Sequence, residues 1–444
     1  MRIGIVPRLN PADGGVYQYS LTMLQALDDS NGASDGASDD ALVIFTRDSG
    51  HPLLGQLKRP VWSVQSLPAE PQPARASGLN VMRRLVGEGP HREAWRWIRR
   101  RLTTVRTKDP DAVVFRPDLN RFFRGCGLGL MVHPVPGPLA FEAGIPYVMA
   151  IHDLEHRVHP EFPEVSRNGE WEFREYYFRN GSRYATLLLA DSELGKEQIL
   201  TFYGPYGVTD DRVKVLPFLP ASYLACDVAA EERQRVRTTY RLPERYLFYP
   251  AQFWAHKNHA GLVRALGLLK QERRRAIDMV FAGSHSGELR TRVFQEVNAL
   301  AHRLGVAAHV HYLGYIPDSD MSALYAEAVA LVMPTFFGPT NIPVMEAWAF
   351  GCPVLTSDIP GVREHVNDAA LLADPRSVEA LADGIDRIWT DEALRTRFAD
   401  RGRRRLSAYT PEDYRRRLMA ILDEAKDRVQ CETPRMALRA CDPA

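Results

Sequence analysis

Pro334-Thr335-Phe336-Phe337-Gly338-Pro339-Thr340-Asn341-Ile342-Pro343-Val344-Met345-Glu346-Ala347-Trp348-Ala349-Phe350-Gly351-Cys352-Pro353-Val354-Leu355-Thr356-Ser357-Asp358 reads as one complete step of a layered α/β sheet. The apolar run Ala330–Met333 before it predicts a strand. The Gly/Pro/Asn-rich stretch after that run is a turn, because glycine admits positive φ and proline fixes its own. A helix is expected from near Val344 to Phe350, with Glu346 in its first turn, and Pro353–Thr356 begins the next strand. A strand followed by a helix and another strand in so short a span implies a crossover between parallel neighbours.

The same alternation continues outward. Upstream lie Tyr246–Tyr249, helix Ala260–Gln271, Asp278–Ala282, helix Leu289–Leu304, Val310–Leu313 and helix Asp320–Ala328; downstream lies helix Val378–Ile388. An independent series fills the first half: Arg2–Val6 then Tyr17–Leu27, Ala41–Phe45, Ala112–Phe115, Tyr147–Ile151, Thr186–Ala190 then Glu193–Phe202, and Val213–Leu216. A chain of 444 residues exceeds what one core usually supports, so two domains are expected. The expected organisation is a doubly wound domain over 1–217, a polar linker over 218–243, a second doubly wound domain over 244–409, a helix over 410–430 and a tail over 431–444. Thr410 caps that helix, with Pro411 at its first position and Glu412 and Asp413 in its first turn. Asn31–Asp40 is a low-complexity loop, and the two halves show no sequence repeat.

Composition excludes several function classes. Lys plus Arg total 56 against 55 Asp plus Glu, so no global field draws nucleic acid or an anionic membrane. Hydrophobic residues at 45% and charged residues at 25% are the mixture of a folded globular protein. The five cysteines are scattered without metal-ligand spacing, which argues against a zinc site or disulfide framework and favours a reducing cytoplasm. No signal peptide or transmembrane stretch is expected. Arg83–Lys108 is basic, with Trp95, Ile98, Leu102 and Val105 on one helical face. The plain reading is a surface helix packed on its domain; the sharper one is peripheral contact with the inner face of a membrane, serving a lipid-linked acceptor.

In open α/β sheets, ligands bind at the carboxyl ends of the strands, so the loops leading into helices carry the chemistry. After the first strand comes Asn10-Pro11-Ala12-Asp13-Gly14-Gly15-Val16-Tyr17, whose glycines admit an anion to backbone N–H groups at a helix start; a plain turn is the alternative. After Tyr246–Tyr249 comes Pro250-Ala251-Gln252-Phe253-Trp254-Ala255-His256-Lys257-Asn258-His259, where Lys257 is a point charge for a diphosphate or a solvated loop lysine. In the third loop Glu346 accepts two ribose hydroxyls or merely complements the helix dipole.

Ala251–His259, Gly338–Val354 and Ser357–Pro375 together resemble the donor-binding domain of glycosyltransferase family 4, the retaining GT-B enzymes. Gly14-Gly15, Ile145–Leu154 and Ala190-Asp191-Ser192-Glu193 stand where that family places similar elements, and the likeness spans Met1 to Ala425, weakly between Ser49 and Gly127. The resemblance implies two Rossmann-like domains around a cleft, with the C-terminal helix returning to the first. It implies that Lys257 neutralises a donor diphosphate and that Glu346 holds ribose hydroxyls. Gly14 and Gly15 would close over the phosphates, Thr340, Asn341 and Ile342 would meet sugar and diphosphate through backbone groups, and His152 would face the transferred sugar. Gln252 and Gly338 belong to the same donor loops, and Tyr17, Asp153 and Ser192 are acceptor-side candidates. Two positions depart from the family: Gly338 replaces a sugar-contacting glutamate eight positions before Glu346, and Gln252 stands where an arginine is common. A subset of the family shares the GPTNIP and HKNH wording.

The implied activity is metal-independent, retaining transfer of a hexose from a UDP- or GDP-sugar to a glycan or lipid-linked acceptor, with mannosyl transfer in polysaccharide biosynthesis as the nearest description and no resident cofactor. The leaving diphosphate oxygen would take the acceptor proton on the front face, while Lys257 and loop N–H groups stabilise its charge. One rival is a nucleotide-sugar epimerase on the same fold, which releases no free nucleotide diphosphate. The other is a non-catalytic nucleotide-sugar-binding protein, which binds donor without turnover.

Overall fold

The computed structural model describes residues 1–29, 40–48, 50–55, 57, 62–68, 110–220, 228–338 and 340–432. Arg83–Lys108, most of Asn31–Asp40, Pro339 and the tail past residue 432 lie outside the described residues.

Among the described residues, thirteen strands make two wholly parallel sheets. The first half contributes β1 (Arg2–Ile5), β2 (Ala41–Thr46), β3 (Trp62–Ser66), β4 (Leu130–His133), β5 (Tyr147–Ile151), β6 (Leu187–Ala190) and β7 (Val213–Val215), in the order β3-β2-β1-β4-β5-β6-β7. The second half contributes β8 (Leu247–Pro250), β9 (Met279–Ala282), β10 (Val310–Tyr312), β11 (Ala330–Met333), β12 (Val354–Ser357) and β13 (Leu371–Ala373), in the order β10-β9-β8-β11-β12-β13. The strand order reverses between β1 and β4 in one sheet and between β8 and β11 in the other. Those are the points where loops on the two sides diverge and leave a crevice. The central strands are buried throughout and nearly all apolar, Leu-Met-Val-His in β4 and Leu-Leu-Leu-Ala in β6, because helices bury both faces.

Sequence expectation and structure part at several elements. Ala112–Phe115 forms no strand: no described neighbour pairs with it, and Val114 and Phe115 are exposed. The ring of Phe115 instead lies against Gly144, where a Cβ would come within 2.6 Å of it. β3, β4 and β13 have no counterpart in the expected series. The segment expected as a linker contains a helix, Ala230–Tyr240, whose Arg237 pairs with Glu327 at 3.0 Å and so belongs with the second sheet. The helix carrying Glu346 spans Ile342–Ala349 with Pro343 near its start, so Glu346 lies past the first turn. Dipole complementation is then a weak account of its place.

The last described helix, Pro411–Glu432, leaves the second domain and joins the first. Its start is a reciprocal capping box: Asp413 N donates to Thr410 Oγ1 at 3.1 Å, and Thr410 N donates to Asp413 Oδ2 at 3.0 Å. Tyr414, Leu418, Leu422 and Ala425 are buried in the core formed by Ile3, Ile5, Leu130 and Val148. Among the described residues no helix is long and apolar enough to cross a membrane.

Candidate active site

The loop after β1 holds Gly14 at φ 61°, a conformation glycine adopts freely, and the helix Gly15–Asp29 begins directly after it. This turn meets the second domain. A Cβ on Gly14 would stand 3.8 Å from Gln252 Nε2, and one on Gly15 would stand 3.6 Å from Ile342 Cδ1. The three loops named from sequence thus converge: the glycine turn after β1 touches the loop after β8 and the loop after β11.

Each residue of His256-Lys257-Asn258-His259 has its own task. Asn258 sits at φ 57° and caps the helix His259–Arg273, accepting from Gly261 N at 3.1 Å. Its amide donates to Pro334 O at 3.1 Å and Pro375 O at 2.8 Å, which fastens the loops after β11 and β13 to the loop after β8. His259 is buried and stacks on Phe253 with ring centroids 4.2 Å apart. Burial presses its pKa down to about 3, so it packs as a neutral ring. His256 crosses to the first domain: its Nδ1 lies 2.7 Å from Glu164 Oε1 and 2.9 Å from Glu155 Oε1.

These three side chains bring ligand atoms within 4.8 Å of one another, a spacing a divalent cation tolerates. The Nδ1–H of His256 meets Glu164 directly, and the Lys257 charge is felt by both carboxylates.

Lys257 is the cation the sequence singled out. Among the described residues its ammonium has no hydrogen bond or ion pair, and its charge is felt by Glu155, Asp153 and Glu164 across the cleft. Burial lowers its pKa, and those carboxylates offset part of the drop. A desolvated, incompletely paired ammonium at a strand-to-helix junction gains strongly from an incoming anion.

Glu346 is buried, and its Oε2 accepts from the Tyr325 hydroxyl at 2.6 Å. That bond fixes the carboxylate's rotamer; Tyr325 had no signal in the sequence because it arrives from the helix Asp318–Glu327. Gly338 has φ 124°, and a Cβ there would approach Asn341 Oδ1 to 3.0 Å. Asn341 in turn donates to Gly338 O at 3.2 Å. The turn is therefore shaped around glycine, and Thr340, Asn341 and Ile342 follow it into the helix start.

On the first domain, His152 follows β5. Its Nε2 lies 2.8 Å from Pro134 O, an acceptor, so that nitrogen carries hydrogen; its Nδ1 lies 3.1 Å from Asp191 Oδ2. Burial alone would lower its pKa, but the Asp191 charge and hydrogen bond outweigh burial and hold it above the ordinary value. With both nitrogens engaged, the imidazole has no lone pair left to accept a proton, so it suits positioning and electrostatics. Tyr19 packs edge-on to the ring at 4.5 Å and Phe218 stacks on it at 5.7 Å. Ser192 caps the helix Glu193–Tyr203, accepting from Gly195 N at 3.0 Å. Asp153 accepts from Glu155 N at 3.1 Å and lies 3.9 Å from Arg174. Tyr17 is buried, and its hydroxyl pKa is raised by burial first and then by Asp318 of the second domain. Of the acceptor-side candidates, Ser192 has a structural partner that accounts for it, and Tyr17 faces the cleft.

Further interdomain contacts join residues that nothing in the sequence marks as partners. Glu364 accepts from Glu193 N at 2.9 Å and Leu194 N at 3.1 Å, placing a carboxylate at a helix N-terminus. Phe162 stacks on Phe336 at 5.7 Å. Contacts made only when two domains meet leave no periodic trace in either segment.

Residues 230–405 match the family described as glycosyl transferases group 1. O-antigen chain mannosyltransferase B of Escherichia coli is 28% identical over 258 residues, 57% of this chain and 64% of that protein. Lipopolysaccharide glucosyltransferase WaaG of Escherichia coli strain K12 is 25% identical over 237 residues, 52% of this chain and 60% of that protein. The chain thus spans less than two thirds of the length of these relatives. Among solved structures, Anabaena Alr3699/HepE in complex with UDP and glucose superposes with a TM-score of 0.65 at 15% identity, covering 95% of this chain and 99% of that one. WaaG, a glycosyltransferase involved in lipopolysaccharide biosynthesis, superposes with a TM-score of 0.61 at 16% identity, covering 95% and 98%. Two parallel Rossmann-like sheets with these neighbours make the fold GT-B, and the match to the glycosyl transferases group 1 family falls on its second domain, over residues 230–405.

Proposed function

We propose that the chain is a retaining, metal-independent hexosyltransferase that uses a UDP- or GDP-sugar and acts, at the cytoplasmic face, on a glycan or lipid-linked acceptor of cell-surface polysaccharide. The observation that carries this reading is the docking of Gly14-Gly15 onto Gln252 and Ile342, beside a loop whose Lys257 has no ion pair among the described residues. A diphosphate there meets backbone N–H groups, a helix N-terminus and a desolvated ammonium. The mannosyltransferase relative favours mannose as the sugar. UDP in the superposed structure favours a nucleotide-sugar donor.

Catalysis on this reading is electrostatic. Charge develops on the leaving diphosphate oxygen, where Lys257 and the loop N–H groups stabilise it, and that oxygen takes the acceptor proton. His152, with both nitrogens engaged, positions the sugar and adds positive charge near it. Glu346, held by Tyr325, orients the ribose.

A screen of UDP-, GDP- and dTDP-sugars against glycan and lipid-linked acceptors, read by released nucleotide and by the anomeric configuration of the product, tests the reading. Acceptor-dependent release of nucleotide diphosphate with retention, persisting in excess EDTA, is the expected result. A donor that is epimerised without release, or bound without turnover, would sink it.

A further inference from the structure

Gln252 sits in the donor loop facing Gly14, and a neutral amide there leaves Lys257 as the one cation of that loop poised for a diphosphate. The fold brings a second cation to the same point from a different strand. The loop after β9 runs through Gly283, at φ 129°, where a Cβ would come within 2.5 Å of Ala251 O. Glycine at that position is what lets the β9 loop lie directly on the β8 loop. The helix Glu288–Arg303 then starts beside Gln252, and its third residue is Arg290. Arg290 Nη1 donates to Gln252 Oε1 at 2.8 Å, and its guanidinium lies 4.7 Å from the ring centroid of Trp254. Trp254 Nε1 donates to the same Gln252 oxygen at 3.0 Å, so three side chains lock together.

Arg290 has no ion pair with a carboxylate among the described residues. A guanidinium normally finds a carboxylate or phosphate, because its fork of donors matches two oxygens at once. Here the fork spends one donor on an amide oxygen and rests its face on an indole. Gln252 Nε2, on the other side of the same amide, points to the Gly14 turn. The group is thus held in place, charged and short of an anion, one amide side chain away from the turn that opens the helix Gly15–Asp29.

We infer that Arg290 is the second diphosphate-binding cation of this protein, delivered from the β9 loop in place of a basic side chain at position 252, and that Gln252 and Trp254 position it. The inference rests on the donor-site reading above and adds a binding residue to it. Its ligand is a nucleoside diphosphate or the diphosphate of a nucleotide-sugar, and the contact falls on the phosphate beyond the one a monophosphate carries.

The test is calorimetric binding of UDP, UMP, GDP and GMP to the full chain. The wild-type protein is expected to prefer a diphosphate to its monophosphate. In Arg290→Met that preference should collapse by about tenfold, the scale of one charge-assisted contact. Gln252→Arg in the Arg290→Met background should restore it, by returning a cation from the other loop; such rescue would not follow if Arg290 merely braced the fold. A wild-type preference left intact in Arg290→Met overturns the inference and leaves the donor site standing. Absence of any nucleotide binding by the wild-type protein overturns the donor-site reading itself, and this inference with it.

Discussion

Glu164 Oε1, from the first domain, accepts two hydrogen bonds from a single residue of the second: His256 N at 3.0 Å and His256 Nδ1 at 2.7 Å. Glu164 and Glu155 are both buried, so two carboxylates converge on one imidazole away from water. Lys257 is the next residue. The contact that ties the domains together therefore also sets where the donor-loop cation lies.

That contact makes closure depend on pH. Burial and Lys257 push the His256 pKa down, but bonds to Glu155 and Glu164 outweigh them and hold it above 6.5. Burial raises the Glu164 pKa, and the His256 bonds outweigh it, holding it below 4.5. A raised histidine contributes fully below its ordinary value and loses its contribution as pH climbs through the raised one; a depressed carboxylate contributes above its ordinary value and loses it as pH falls through the depressed one. The closed arrangement should be firmest between about pH 4.5 and 6.5. It should loosen on the alkaline side first under physiological conditions. Interdomain fluorescence transfer across pH should show this, and Glu164→Gln should flatten the profile. An unchanged profile in Glu164→Gln would show that this contact does not govern closure.

Tyr325 and Glu346 form the second prediction. Removing the hydroxyl in Tyr325→Phe leaves a buried carboxylate without one of its donors, at a cost of about 1.5–3 kcal/mol for a bond to a charged group. Thermal stability should fall and donor affinity should weaken, because the carboxylate is no longer held in one rotamer. Glu346→Ala should weaken donor use more, by about 2–4 kcal/mol, with folding retained. Full donor use in both variants would place the ribose elsewhere.

How much of this was legible in sequence follows from range. The loops after β1, β8 and β11 were readable because each is a local strand-turn-helix signal with Gly, Pro or Asn at the bend. The start of the C-terminal helix was readable for the same reason, since Thr410, Pro411 and Asp413 are neighbours. β4 was missed although Leu130–His133 is wholly buried, because three apolar residues and a histidine among glycines look like any short core segment. Ala112–Phe115 carries the opposite lesson: Val-Val-Phe has strand composition, yet a strand exists only where a neighbour pairs with it. Glu155, Glu164, Tyr325, Arg290 and Glu364 act through partners from other strands or the other domain. A single sequence holds no record of such distances.

Gly338 yields a prediction about the remade turn. At φ 124° any side chain is strained, by about 1–3 kcal/mol. Gly338→Ala and Gly338→Glu should therefore lower the melting temperature by similar amounts, since the cost lies in the backbone and in the approach to Asn341. A glutamate at position 338, as in the family this loop resembles, should not improve turnover. If Gly338→Glu were as stable as the wild type while Gly338→Ala were not, the glutamate would be finding a partner that this turn conceals.

Lys257 offers the sharpest test of the donor site, because its protonation and its ligand are coupled. Burial depresses its pKa below 10.5, and the carboxylates of Glu155, Asp153 and Glu164 limit the drop. Below the depressed value the ammonium is charged and ready for a diphosphate; above it, binding must first recover a proton. Donor affinity should then be flat at neutral pH and fall by about tenfold per pH unit once pH exceeds the pKa of the free protein, as linkage of one proton requires. That limb should begin below 10.5, earlier than an unburied lysine would give. Lys257→Arg should abolish the limb, because a guanidinium stays charged throughout. Lys257→Ala should lose about 2–4 kcal/mol of donor binding at neutral pH. Isothermal titration in two buffers of different ionisation enthalpy would count the proton taken up. A limb that persists unchanged in Lys257→Arg would assign the titration to another group and remove Lys257 from the phosphate site.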